Sequence, residues 1–207
     1  MASTTRPHTT SIAVWEVPSP VVTGRSFRVK VGVKCSEQCR LAGERIEVCD
    51  EGGRQIGEGR LGEVPWPRTS GLYVADVALD APVREGILAW SARFMGVAAG
   101  SPHEEASAVF SLRTARPPEH RLSVRVTDKA TDAPLEAVEV RLGVYRASTD
   151  AQGLACLEVP GGIYNLDAWK AGYEALSRTV QANKDLTIRI EAWPSPEKDP
   201  DDEQVWM

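Results

Sequence analysis

The sequence predicts an all-β chain built as two antiparallel β-sandwiches, and three observations carry that expectation. The first is strict alternation: Phe27, Val29, Val31 and Val33 are separated by Arg28, Lys30, Gly32 and Lys34, the period-2 pattern of a half-buried strand. The second is the regular return of turn chemistry, in Asp50-Glu51-Gly52-Gly53, Thr149-Asp150-Ala151-Gln152-Gly153 and Pro160-Gly161-Gly162. Glycine and Asx residues there tolerate the positive φ that tight hairpins demand. The third is that no stretch of any length carries helical periodicity.

The strands follow in order. Residues 1–10 read as a disordered arm, because Ser, Thr, Pro and Arg bury little surface. Ser11–Val17 is the first strand, closed by Pro18 and Pro20, and residues 27–33 the second. Ile46 and Val48 continue the alternation, Gln55–Leu61 returns after the D-E-G-G turn, and Val64-Pro65-Trp66-Pro67 is a stiff loop that cannot donate to a ladder. Leu72–Leu79, Gly86–Val97 and Glu104–Arg113 complete about seven strands over residues 11–114. That number and spacing predict a sandwich of immunoglobulin or fibronectin type. Residues 115–120 read as a linker, in which Pro117 and Pro118 favour polyproline II and a restricted angle between domains.

Residues 121–192 form the second predicted domain. Leu122, Val124 and Val126 alternate, as do Val138, Val140 and Leu142, and Leu154–Val159, Ile163–Trp169 and Leu186–Ile190 supply further strands. The segments VTDKATDAPLEAVEVRL, TDAQGLACLEVPGGIYNLDAWKAGY and LTIRIEA resemble the carboxypeptidase regulatory-like family, down to the T-D-x-x-G turn, the P-G-x-Y hairpin and the later G-Y pair. The resemblance covers roughly a third of the chain. It implies a transthyretin-like (prealbumin-like) seven-strand sandwich, used mostly as a non-catalytic appendage. Residues 193–207 form an acidic, proline-rich tail.

Composition narrows the function classes. At 207 residues and 42% hydrophobic content, with 17 glycines besides, the chain affords two ordinary cores. No apolar run approaches the ~18–20 residues that cross a bilayer, so a soluble protein with no membrane partner is expected. Net charge is −5, and five acids against Lys198 put −4 of it in the last eleven residues. The nearly neutral remainder has no basic face for nucleic acid. The N-terminus shows only the four-residue apolar run Ile12–Trp15, short of the ~7–15 residues of a signal core, and the four cysteines are few. A cytoplasmic protein with reduced thiols is expected.

Candidate chemistry is sparse. Cys35-x3-Cys39-x9-Cys49 is the most suggestive cluster, but a zinc site needs four ligands, usually with C-x2-C spacing, and His103, His120 and Cys156 stand in no motif. A disulfide between Cys35 and Cys39 or Cys49 is an alternative, and small apolar fillers at a strand end are the reading preferred; no metal or other cofactor is expected. The histidines, His8, His103 and His120, fall in the arm, a loop and the linker. The second domain therefore lacks the residue sets of catalytic relatives by fold, the intradiol dioxygenases and hydroxyisourate hydrolases. No G-x-S-x-G elbow is present, and the glycines at 57–62 precede no helix. A non-enzyme is expected.

Tryptophans remain. Trp90 alternates in an apolar strand and reads as core, as do Trp15 and Trp169. Trp66, between two prolines, is a candidate platform for a sugar or a partner's pocket; Trp193 and Trp206 flank the acidic tail as candidate docking anchors. The expectation is a non-catalytic structural or protein-interaction protein, an accessory subunit with a protein partner. The alternatives are a carbohydrate- or peptide-binding module and a non-catalytic subunit of a multi-subunit redox enzyme.

Overall fold

The structure, a computed structural model, describes residues 6–96 and 102–195. The chain divides into two compact units, Met1–Arg116 and Pro117–Met207. Both are β-sandwiches, and no helix occurs among the described residues.

The first unit contains β1 (Thr10–Trp15), β2 (Val21–Val22), β3 (Ser26–Cys35), β4 (Arg45–Cys49), β5 (Gln55–Arg60), β6 (Leu72–Asp80), β7 (Gly86–Phe94) and β8 (Ala106–Ala115). They form a three-stranded sheet, β1-β3-β6, and a five-stranded sheet, β2-β8-β7-β4-β5. Alternation on β3 does what the pattern predicts: Val29, Val31 and Val33 are buried and stand beside Val77, Ala75 and Tyr73 of β6. The other sheet contributes Ile46, Val48, Leu88, Trp90, Phe94 and Leu112. Each such side chain contributes roughly 1.5–3 kcal/mol when fully removed from water. Trp90 joins the sheets, stacked on Phe27 of β3 at 6.0 Å and edge-on to Phe110 of β8 at 6.3 Å.

Two expectations need correction here. The arm is part of the fold from His8 onward: the His8 N–H donates to the Pro102 carbonyl, the Glu104 N–H donates to the His8 carbonyl, both at 2.9 Å, and Thr10 opens β1 opposite Cys35. Backbone hydrogen bonds require no apolar side chains, so polar composition gave no sign of them. Pairing is also not antiparallel throughout. After Pro18 and Pro20 end β1, the chain crosses to the other sheet as β2, which runs parallel to β8. In the second unit the strands His120–Asp128 and Leu186–Ala192 are parallel as well. Period-2 alternation says which face a residue occupies and nothing about strand direction.

The second unit contains β9 (His120–Asp128), β10 (Glu139–Leu142), β11 (Tyr145–Ser148), β12 (Leu154–Val159), β13 (Gly162–Trp169), β14 (Leu176–Ala182) and β15 (Leu186–Ala192). Its sheets are β11-β10-β13-β14 and β12-β9-β15. Leu122, Val124, Val126, Val140, Leu142, Leu166, Ile188 and Ile190 meet between them. The expected turns form. Asp150 Oδ1 accepts the N–H groups of Gln152 and Leu154, both at 2.9 Å, and the Gly153 N–H donates to the Asp150 carbonyl at 2.9 Å. The Tyr164 hydroxyl donates to the Pro160 carbonyl at 2.9 Å and closes the P-G-G-x-Y hairpin.

Tyr173, of the G-Y pair, ties the loop before β14 to the end of β9. Its hydroxyl donates to Asp128 Oδ2 at 2.8 Å, while Asp128 Oδ1 accepts from Ala130 and Thr131 N–H at 2.8 and 2.9 Å. The Tyr173 hydroxyl foremost, with the Thr131 amide, holds the Asp128 carboxyl below the usual carboxylate range, and the same bond pushes Tyr173 up. A folded value below the unfolded ~3.9 means the carboxylate stabilises the unit above that pH and loses its contribution as pH falls through the depressed value. Asp128→Asn is therefore expected to lower the melting temperature at pH 7 and to flatten its fall below about pH 4. Thermal melts of both proteins between pH 7 and 2.5 check this; identical acid limbs would contradict it.

Candidate functional site

Four donor side chains from three segments meet at one end of the first unit. Cys35, the last residue of β3, is fully buried. A turn in which the Gln38 N–H donates to the Cys35 carbonyl at 3.1 Å, with Gln38 at φ 54°, returns Cys39 to the same end. The Ser36 N–H donates to the Thr9 carbonyl at 2.9 Å and anchors the segment that carries His8. His8 and His103 form a parallel bridge, their rings 5.5 Å apart and nearly perpendicular. Gly96, at φ 70°, permits the approach: a Cβ there would lie 2.3 Å from the His103 carbonyl oxygen.

The result is a Cys2His2 cluster. His8 Nδ1 lies 3.1 Å from Cys39 Sγ, and one ligand atom from each of His8, Cys35, Cys39 and His103 lies within 4.8 Å of all the others. His103 is only 8% exposed, and neither of its ring nitrogens has a hydrogen-bond partner among the described residues. Burial, and next to it the hydrogen bond its S–H donates to Cys35, push the Cys39 thiol up. Cys35 lies in the core and Cys39 packs against it at the end of β3, as apolar fillers would, and the geometry adds two imidazoles beside them that the spacing does not reveal. Cys49, the third cysteine of the sequence cluster, does not join them, being buried in β4 opposite Gln55 and Ser91. Likewise His120 begins β9, and Cys156 is exposed on β12 beside Ser123, both in the other unit. His103 stands in no sequence motif and His8 gives no sign of being a partner, because a pairing between the first strand's approach and the segment before β8 leaves no local spacing to read.

The tryptophans divide differently from expectation. Trp90 is core, 4% exposed. Trp15 lies half-buried over Gly32, where an added Cβ would touch its ring at 2.7 Å. Trp66 is edge-on to Trp15 at 6.1 Å and has the Lys30 ammonium over its ring at 5.7 Å. A cation over the ring competes with a sugar for that face. Trp169, expected in the core, is 57% exposed instead. Along β13 the buried residues are Leu166 and Ala168, so Trp169 shares the outward parity of Ile163 and Asn165.

Trp193 is 58% exposed and held at the end of β15, where its carbonyl accepts the Glu174 N–H at 2.9 Å and Lys129 lies over its ring at 5.9 Å. Pro194 bridges Tyr173, and the Ser195 N–H donates to the Gly172 carbonyl at 2.9 Å, so the start of the predicted tail is ordered by backbone contacts. Trp206 lies outside the described residues. Trp169 and Trp193 line two adjoining depressions that share Glu174, Leu176 and Ala192. The one beside Trp193 is an open groove of about 260 Å³ between β14 and β15. Among the described residues, each of these strands has a neighbour on one side only within its sheet.

No protein-family model matches the chain, and no curated protein matches it. Among solved structures, fibronectin(III)-like modules of Clostridium thermocellum CbhA are similar at 11% identity and a TM-score of 0.36, covering 86% of this chain and 94% of theirs. The major pilin subunit BcpA of Bacillus cereus is similar at 11% identity and a TM-score of 0.33, covering 91% of this chain and 71% of its own. The Bacillus anthracis TIE protein is similar at 11% identity and a TM-score of 0.31; the match covers 89% of this chain but only 40% of that protein. Likeness at this level carries no argument about what the chain does.

Proposed function

We propose that the protein is a non-catalytic structural or protein-interaction protein, an accessory subunit of a larger assembly, which docks its partner on the indole-flanked groove of the second unit. The observation that carries this reading is the pair of exposed indoles, Trp169 and Trp193, beside Leu176 and Ala192 at two open sheet edges. An unpaired edge offers a row of backbone donors and acceptors to an added strand. Flanking indoles supply the large, rigid apolar area from which interface hot spots are drawn. The resemblance of residues 121–192 to carboxypeptidase regulatory-like modules supports the same reading, because those modules are mostly non-catalytic appendages.

The double substitution Trp169→Ala/Trp193→Ala tests it. Both side chains are more than half exposed, so the fold is expected to tolerate their loss within about 0.5 kcal/mol per site. Two interface hot spots are worth at least about 2 kcal/mol each, so affinity should fall by two orders of magnitude or more. The assembly isolated from the protein's own cells should then retain the wild-type chain and lose the variant. Equal retention of a folded double variant would overturn the docking surface.

A further inference from the structure

We propose that His8, Cys35, Cys39 and His103 bind one zinc ion, which clasps the N-terminal segment and the segment preceding β8 to the end of β3. Two independent observations point to a ligand. One is convergence: four donor atoms from three stretches of chain, the approach to β1, the turn after β3 and the segment before β8, lie within 4.8 Å of one another at one point. The other is His103, which is 8% exposed with both ring nitrogens unpartnered among the described residues. A buried polar group without a partner is costly enough to be rare in folded proteins, and a metal ion satisfies an imidazole lone pair as fully as a hydrogen bond does.

The donor set selects the ion. Tetrahedral zinc, with Zn–S near 2.3 Å and Zn–N near 2.0–2.1 Å, asks for ligand-to-ligand separations of roughly 3.3–3.8 Å. His8 Nδ1 and Cys39 Sγ, 3.1 Å apart, already stand at that scale, and no other pair need close by more than about 1.5 Å. Two sulfurs and two imidazoles exclude calcium and magnesium, which take oxygen, and fit the borderline-soft Zn²⁺. Two thiolates neutralise the dication, which suits a site with Cys35 and His103 buried. Four protein ligands leave no open position, as in structural rather than catalytic zinc sites. Binding displaces the protons of both thiols and involves no oxidation. A Cys35–Cys39 disulfide, the competing use of these sulfurs, would leave the His103 nitrogens without a partner.

The proposal is independent of the docking groove, which lies in the other unit. Its test uses the full-length chain, stripped of metal by a chelator under reducing conditions and titrated with Zn²⁺ against a chromophoric competitor. One equivalent is expected. Cys39→Ser and His8→Asn, at the two half-buried positions, should each weaken binding at least about 100-fold while circular dichroism stays that of a β protein. Cys49→Ser and Cys156→Ser should bind as the parent does. Substituted Co²⁺ should show the thiolate charge-transfer and d–d bands of a tetrahedral S2N2 site, the sulfur band diminished in Cys39→Ser. No stoichiometric zinc, zinc affinity indifferent to Cys39 and His8, or loss on Cys49→Ser or Cys156→Ser would each overturn the site. If Cys39→Ser unfolds, the cobalt spectrum of the parent alone decides, since an oxygen-only or six-coordinate spectrum contradicts the proposal.

Discussion

Trp90→Ala is expected to destabilise the first unit by about 3–5 kcal/mol, the range for truncating a large buried aromatic. Trp90 is 4% exposed, stacked on Phe27 from the facing sheet and edge-on to Phe110 on its own. Its removal takes away the inter-sheet contact and leaves a cavity that β-sheets, fixed by their ladders, cannot collapse to fill. Against a typical total of about 5–15 kcal/mol, that is roughly a fifth or more of the unit's stability. Trp169→Ala is the control: the same residue type, also in a strand, but 57% exposed, and expected within about 0.5 kcal/mol of the parent. Chemical denaturation of both variants measures the contrast. Equal effects would mean that burial does not rank the tryptophans as the sandwich requires.

Gly153→Ala is the second large effect, at roughly 2–4 kcal/mol. The left-handed backbone at φ 71° costs an alanine about 1–2 kcal/mol. The new methyl would also lie 2.5 Å from the Val126 carbonyl oxygen and 3.1 Å from the Leu135 nitrogen. Those two atoms are bonded to each other at 3.0 Å, and the Val126 N–H donates to the Gly153 carbonyl at 2.8 Å. Relieving the clash must therefore stretch a backbone hydrogen bond, adding about 0.5–1.5 kcal/mol or more. Gly53 supplies the comparison. It closes the other D-x-x-G turn at φ 78° with nothing within 4 Å of its would-be Cβ. Gly53→Ala should cost only the backbone term, about 1–2 kcal/mol. Melting of the two variants separates them, and equal losses would show that the turn conformation alone, rather than packing behind Gly153, matters.

Much of the fold is legible in the sequence because β-sandwich cores are written in alternation. The valines of β3, the Leu122-Val124-Val126 set of β9 and the D-x-x-G turns all stand where their pattern puts them. Three strands were not visible. β2 is only two residues long, β11 only four, and β14, LSRTVQA, has its apolar residues too thinly spread to signal a strand; as an edge it is only half covered. Trp169 was readable in principle: parity counted from the buried Leu166 and Ala168 turns it outward, whereas its residue type alone suggested the core.

The Cys2His2 cluster shows the opposite limit. Cys35 and Cys39 stand out locally, and a search for their partners turned to the next cysteine in sequence. The actual neighbours come from the backbone ladder, through the His8–His103 bridge and the close packing at Gly96. Such long-range pairing depends on which strands become neighbours, and side-chain periodicity does not encode that. The groove beside Trp193 has the same origin, since Leu176 and Trp193 line it together where β14 and β15 end their respective sheets.

The mass of the native species isolated from the cells that make the protein tests the interaction reading most directly. The expected result is an assembly heavier than the 22.5 kDa chain, in which the chain sits at fixed stoichiometry and from which Trp169→Ala/Trp193→Ala releases it. A free 22.5 kDa monomer at native concentration, the same for parent and variant, would contradict it.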